Sequence, residues 1–244
     1  MITEAIVLAG GLGTRLKSVL PDLPKCLASV SERPFLAYLI DFAKKQGIDK
    51  FIFALGYKTE LVEEFVKDYL PSESYTFSIE QEPLGTGGAI FKACNHVKGV
   101  NAIVLNADTF FGIPFSDLDK LHEQRNAECT LALKPMVNFS RYGVVSLNEK
   151  KEVAGFSEKK YQSAGLINGG VYALGKTAFT AKSFPAVFSF EKDYLEKSYK
   201  EGNILGYISD AYFIDIGIPE DYLRAQSELP NAIVQLMSVN YRNV

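Results

Sequence analysis

The 244-residue chain carries 26 basic and 29 acidic side chains, a net charge of -3, so no broad electrostatic footprint for nucleic acid or an anionic membrane is expected. Its three cysteines, Cys26, Cys94 and Cys129, lie far apart and outside any C-x-x-C pattern, which argues against a disulfide framework or zinc site and for a reduced, cytoplasmic setting. No basic-then-apolar leader and no run of about 18 apolar residues is present, so neither secretion nor membrane spanning is expected.

The first predicted strand, 5–8, runs directly into Gly10-Gly11-Leu12-Gly13. Helical spacing follows at Phe35, Leu36, Leu39, Ile40 and Ala43, then a strand at 51–55. A second helix is predicted from Leu61, Val62, Phe65, Val66 and Tyr69, and further strands at 77–79 and 102–105. Short buried strands separated by helices predict βαβ units and a mainly parallel sheet covered on both faces, with ligands beyond the carboxyl ends of the strands. From about residue 128 the pattern shifts to shorter alternating strands at 130–134, 143–147, 152–156 and 166–174, read as antiparallel additions. Ser189 is a predicted N-cap with Lys192 at N3, so a full capping box is not expected and the stretch 188–193 is read as packing. A last short strand at 212–214 precedes Asp215 and a helix starting at Pro219.

With no linker and no repeat between the parts, the expected organisation is one domain over 1–230. About 1–125 form an α/β half and about 126–230 a mixed second half, followed by a tail at 231–244. Apolar residues in 229–244 could pack on the domain or on a second copy, so monomer and homo-oligomer both stay open. His96 and His122 lie in helical stretches without a triad partner and carry no expected role.

The glycine-rich loop fits neither common phosphate signature. A dinucleotide fingerprint would need a glycine where Leu16 stands, and a P-loop would need Gly-Lys where Thr14-Arg15 stands. What remains is Gly-Gly-x-Gly-Thr-Arg-Leu, with Lys25 ten residues after Arg15 and Pro21 and Pro24 keeping the intervening segment non-helical. Glycines let backbone N–H groups approach an anion closely, and two cations beside them suit a triphosphate whose leaving group gains charge.

Residues 8–16 followed by Pro24-Lys25 resemble the signature of the sugar-1-phosphate nucleotidylyltransferases. Further motifs follow in that family's order: Glu82-Pro83-Leu84-Gly85-Thr86-Gly87-Gly88-Ala89, Leu105-Asn106-Ala107-Asp108, Arg141-Tyr142-Gly143-Val144-Val145, Phe156-Ser157-Glu158-Lys159, Ile167-Asn168-Gly169-Gly170-Val171-Tyr172 and Ile214-Asp215-Ile216-Gly217. The resemblance implies an α/β, Rossmann-like, mainly parallel sheet flanked by helices, with a smaller antiparallel sugar-binding part. It also implies an enzyme that joins a nucleoside triphosphate and a sugar 1-phosphate, releasing pyrophosphate.

The same resemblance assigns roles. Arg15, Lys25 and Asp108 are the expected catalytic residues, and Asp108 with Asp215 the expected ligands of Mg2+, a cation that one or two carboxylates hold together with substrate oxygens. Nucleotide contacts are implied for Leu8, Ala9, Gly10, Gly11, Gly13, Thr14, Glu80, Gln81, Pro83, Gly85, Thr86 and Asn106, with Glu80 or Gln81 reading the base edge. Sugar-phosphate contacts are implied for Gly143, Glu158, Lys159 and Asn168. The Ser-x-Glu-x-Asp stretch at 189–193 has a counterpart near the sugar side in family members.

Within the family the sequence is most similar to guanylyltransferases acting on D-glycero-D-manno-heptose 1-phosphate, which implies GTP and a surface-glycan product. Cys26 and Ala107 depart from residues common there. The alternatives are mannose 1-phosphate guanylyltransferases, N-acetylmuramate 1-phosphate uridylyltransferases and glucose 1-phosphate thymidylyl- or cytidylyltransferases. A nucleotide-sugar sensor without catalysis would lose Lys25 or the aspartates, and this chain has all of them.

Overall fold

The computed structural model describes residues 1–11, 23–56 and 59–238. In chain order these form β1 (Glu4–Leu8), β2 (Ser29–Val30), β3 (Arg33–Pro34), α1 (Phe35–Lys45), β4 (Lys50–Leu55), α2 (Thr59–Tyr69), β5 (Tyr75–Ile79), α3 (Gly85–Ala93), β6 (Asn101–Asn106), β7 (Thr109–Phe111) and α4 (Phe115–Gln124). The second half adds β8 (Cys129–Phe139), β9 (Val144–Leu147), β10 (Val153–Ser157), β11 (Gln162–Gly175), α5 (Lys176–Thr180), α6 (Glu196–Ser198), β12 (Ile204–Ile208), β13 (Phe213–Asp215) and α7 (Pro219–Ser238).

Seven strands make one sheet in the order β12-β8-β11-β6-β1-β4-β5. β1 pairs in parallel with β4 and β6, β4 with β5, and β12 with β8. Among the described residues β11 alone runs against the others, antiparallel to both β6 and β8. The mainly parallel sheet is as predicted. The antiparallel additions expected after residue 128 are found in β11, which pairs antiparallel with β6 and β8, and in β9 with β10; β12, which no predicted strand covers, joins the edge of the sheet parallel to β8. The hairpin of β9 and β10 is antiparallel and separate.

Alternate residues of each central strand feed two cores. Ala5, Val7, Phe51, Phe53, Ile103 and Leu105 face one side with α1, α2, α4 and α7. Ile6, Ile52, Ala54, Val104, Tyr172 and Leu174 face the other with α3, α5 and the aromatic group Phe179, Phe188, Phe190 and Tyr194. This two-sided burial explains the near-continuous apolar strands, and each fully buried Phe contributes roughly 1.5–3 kcal/mol.

Local signals set the element ends. Pro34 precedes α1, whose apolar face buries Phe35, Leu36, Leu39, Ile40, Phe42 and Ala43; the amides of Gly47 and Ile48 then close it on the carbonyls of Lys44 and Ala43. Buried Glu4 accepts N–H groups of Lys98 and Gly99, which ties the turn before β6 to the start of β1. Helix α7 continues through Pro230 and past residue 231, with Leu229 and Ile233 buried and Leu236 and Met237 against the same core. Among the described residues no helix is long and apolar enough to cross a membrane.

Candidate active site

The chain runs from β1 to β4 and β5 on one side, then returns to place β6 on the other side of β1. The crevice at this reversal, beyond the carboxyl ends of β1 and β6, is where open α/β sheets bind ligands. A cleft of about 360 Å³ opens there, lined by residues 8–11, Lys25, Cys26, Ala54, Glu80, Pro83, Gly85, Thr86, Ala89 and 106–108. Leu8 pairs with Asn106, and the Ala107 N–H donates to the Leu8 carbonyl at 3.2 Å, which joins the two strand ends. Gly10 crosses the end of β4 so closely that a Cβ there would lie 2.9 Å from the Gly56 nitrogen.

On the β5 side of the cleft, Glu80 leaves the strand and its Oε2 accepts the Leu84 N–H at 2.9 Å. Burial raises its carboxyl from the ordinary value, and the Leu84 N–H and the Lys92 charge oppose that rise. Gln81, expected alongside it, is exposed and does not line the cleft. The chain bends at residue 81, just past the end of β5, and Glu80 and Gln81 do not share this wall.

The loop entering α3 is clamped from behind by Phe188. Gly85 has φ +72, and a Cβ on Gly87 would sit 2.2 Å from the Phe188 ring. The Phe188 carbonyl accepts the Gly87 N–H at 3.0 Å, the Phe188 N–H reaches the Leu84 carbonyl at 3.0 Å, and Thr86 Oγ1 accepts the Phe190 N–H at 2.9 Å. These glycines therefore serve close packing as well as an open cleft wall.

Opposite this loop stand Lys25 and the two aspartates. Lys25 begins a single helical turn, Lys25–Leu27, whose Cys26 is buried. Its Nζ lies 3.2 Å from Asp108 Oδ2. Burial, then the Asp108 charge, pushes the Cys26 thiol up to about 12, so it stays protonated. Asp215 arrives by the pairing of β13 with β7, which sets it against Thr109, and the Ile216 N–H donates to the Asp108 carbonyl at 3.0 Å. Oδ1 of Asp215 accepts the Gly217 N–H at 2.7 Å, and Oδ2 accepts the Tyr142 hydroxyl at 3.2 Å.

Burial first, and the Asp108 charge second, raise the Asp215 carboxyl. Lys25 already relieves this pair in part, bonding Asp108 and drawing the Asp215 carboxyl down, and a bound cation would relieve it further. Among the described residues no cluster of three or more His, Cys, Asp or Glu stands ready to complete a metal shell. The pair thus fits a hard cation that completes its coordination with substrate oxygens and water, as Mg2+ does, better than one needing a full protein cage.

On the far side, Asn168 of β11 donates to the Tyr172 hydroxyl at 2.7 Å and to Glu191 Oε1 at 3.1 Å, and accepts the Gly170 N–H at 3.1 Å. Desolvation raises the Glu191 carboxyl and the charge of Lys159 opposes that rise, so Lys159 acts electrostatically on the hydrogen-bonded Asn168 and Glu191. Glu158 is exposed beside Lys159, and Gly143 is half-buried just before β9.

Residues 4–232 match the Nucleotidyl transferase family. The chain belongs to this family. It is 48% identical over 230 residues, 94% of this chain and 100% of the relative, to the D-glycero-alpha-D-manno-heptose 1-phosphate guanylyltransferase of Aneurinibacillus thermoaerophilus. Identity is again 48% over 219 residues, 90% of this chain and 96% of the relative, with the enzyme of that name from Campylobacter jejuni. The crystal structure of HddC from Yersinia pseudotuberculosis complexed with GMP-PN superposes with a TM-score of 0.82 at 35% identity, covering 93% of this chain and 100% of that one.

In this nucleotidyl transferase, Gly13, Thr14 and Arg15 lie outside the described residues, so their expected roles stand on sequence. Three participants in the geometry escaped sequence reading. Tyr142 lay inside a motif noted for the glycine beside it, and Phe188 shows its meaning only against glycines 101 and 103 positions earlier. Glu191, in a stretch expected to pack and with a family counterpart near the sugar side, received no role of its own from the sequence and hydrogen-bonds Asn168. Its segment, Phe190–Leu195, is a π-helical turn; Ser189 Oγ accepts the Lys192 N–H, and the reciprocal bond comes from Asp193, which accepts the Ser189 N–H at 2.8 Å. The wider turn moves that reciprocal bond one residue beyond N3, where Lys192 had argued against it.

Proposed function

We propose that this nucleotidyl transferase uses GTP and D-glycero-D-manno-heptose 1-phosphate, forming the GDP-sugar and pyrophosphate for surface glycan assembly. The relatives bearing that activity in their names support the substrate pair. The observation that carries the base is Glu80, a carboxylate on the cleft wall with Oε1 free of the Leu84 bond. A carboxylate only accepts hydrogen bonds, and guanine sets N1–H and N2–H side by side as two donors. Thymine, uracil, cytosine and adenine place an acceptor next to the donor on that edge, which a carboxylate repels.

The reaction needs no protein nucleophile. An oxygen of the sugar phosphate attacks the α-phosphorus in line; its electron pair forms the new P–O bond, and the pair of the breaking α–β bridge leaves on pyrophosphate. This chain's residues position the reactants and offset charge. Lys25 holds the α-phosphate against the incoming phosphate, and Arg15 takes the β- and γ-phosphates. Lys159 orients the sugar phosphate, and Glu191 and Asn168 lie beside it as partners for sugar hydroxyls. Asp108 and Asp215 would hold Mg2+, which supplies charge neutralisation to the triphosphate when bound.

The test is pyrophosphate release with GTP, UTP, dTTP, CTP and ATP against heptose, mannose, glucose and N-acetylmuramate 1-phosphates. Release is expected with GTP and the heptose phosphate. Turnover confined to another nucleotide, or to mannose 1-phosphate, would overturn the assignment.

A further inference from the structure

We infer that Tyr142 is a positioning residue for Asp215, setting the plane of that carboxylate through its phenol. The inference rests on the reading of Asp108 and Asp215 as the metal-holding pair.

Both oxygens of Asp215 are occupied from the protein: Gly217 N–H holds Oδ1 at 2.7 Å and the Tyr142 hydroxyl holds Oδ2 at 3.2 Å. The Gly217 bond is local to the turn and forms wherever that turn goes. The Tyr142 bond spans 73 residues and comes from the connection between β8 and β9. Held from both sides, the carboxylate cannot rotate about its terminal torsion, which is otherwise broad.

The proton direction is determined by the neighbour. Arg141 Nη2 donates to the Tyr142 oxygen at 3.3 Å, and a guanidinium cannot accept. The phenol is therefore the acceptor toward Arg141 and the donor toward Asp215. The ring is wedged edge-on against Phe213 at 6.2 Å and tilted against Phe139 at 6.5 Å, with the Arg141 guanidinium 5.3 Å from its centre. Phe213 belongs to β13, the strand that ends in Asp215, so the ring and the carboxylate are referenced to one element.

The loop carrying Tyr142 is fastened next to this site. Arg141 pairs with Asp221, 7% exposed in the first turn of α7, and Arg224 Nη1 reaches the same carboxylate at 2.9 Å. Two cations on one buried carboxylate fix where residue 141 sits, and residue 142 follows. Side chains that orient a metal-binding carboxylate typically alter metal affinity or activity 10–100-fold when removed.

The test is Tyr142→Phe, which keeps the ring and deletes the hydroxyl. Mn2+ binding is followed by electron paramagnetic resonance with a non-hydrolysable β,γ-imido GTP analogue present, alongside the thermal midpoint without metal and KM for the sugar phosphate. The expected result is a Mn2+ Kd raised about 10-fold, with an unchanged midpoint and an unchanged KM. A Mn2+ Kd within about twofold of wild type overturns the inference, and a lowered midpoint with raised sugar-phosphate KM then identifies Tyr142 as a loop anchor only. Asp215→Asn separates the two levels. If it weakens Mn2+ binding and Tyr142→Phe does not, this inference alone fails; if neither does, the metal-pair reading fails with it.

Discussion

Lys25 Nζ stands 3.2 Å from Asp108 Oδ2, joining the turn that follows the glycine-rich loop to the carboxyl end of β6. The ammonium is 15% exposed and the carboxylate 36%, so the pair is partly shielded but open to the cleft. Arriving phosphate would compete with Asp108 for this cation. Lys25→Ala is expected to lower kcat by a factor on the order of 10² or more, the scale of one preorganised charge partner. Steady-state turnover within threefold of wild type would remove Lys25 from the mechanism.

Glu80→Gln replaces one acceptor with a donor at the edge of the proposed base site. The Leu84 N–H can still be accepted by the amide oxygen, so the loop itself is retained. Expected are a fall in kcat/KM for GTP of about 10-fold or more, from the loss of a charge-assisted bond, and a gain in the relative use of UTP or dTTP. Comparing kcat/KM for the three nucleotides decides it; an unaltered GTP preference refutes Glu80 as the reader.

Gly87→Ala would push a methyl into the Phe188 ring. Overpacking of this type costs about 1–3 kcal/mol, a drop in thermal midpoint of roughly 2–4 °C per kcal/mol at this chain length. The nucleotide KM should rise as the loop shifts. Adding Phe188→Leu should recover much of the midpoint, and a double variant no better than the single would exclude the clash as the cause.

Lys159→Ala and Glu191→Gln address the sugar side. Both are expected to raise KM for the sugar 1-phosphate severalfold while leaving KM for GTP near its original value. Equal effects on both substrates would place these residues outside the sugar subsite.

His122, 2% exposed and bonded to Thr130 Oγ1 at 3.0 Å, has its pKa lowered to about 4 by burial, against the smaller opposing effect of Asp119. Between its ordinary value near 6.5 and about 4, the unfolded chain binds the proton and the folded one does not, so stability falls as pH falls through that window. The full difference is about 3 kcal/mol at 1.4 kcal/mol per unit. Denaturant unfolding of wild type and His122→Asn between pH 7 and pH 4 should show a shallower acid decline in the variant; parallel curves would refute the role.

The parallel strands and the cleft at their carboxyl ends were legible because each signal is local. Residues 5–8, 51–55 and 102–105 are short apolar runs between helical periodicities, and that pattern suffices for a two-faced sheet. The glycine loop after β1 and the aspartate after β6 were legible for the same reason. The direction of β12 was not, because direction depends on which edge a strand joins after a crossover.

The sequence by itself determined the main parallel strands with the helices between them and the family, and it motivates the phosphate-directed roles proposed for residues 10–25. Only the tertiary structure decided that Asp215 comes beside Asp108, that Tyr142 holds its Oδ2, that Phe188 fills the space left by Gly87, and that Glu191 bonds Asn168. The reason is range. Strand and turn preferences act over a few neighbouring residues, whereas these pairings lie 23 to 107 positions apart and exist only once the sheet order has brought separate loops to one edge.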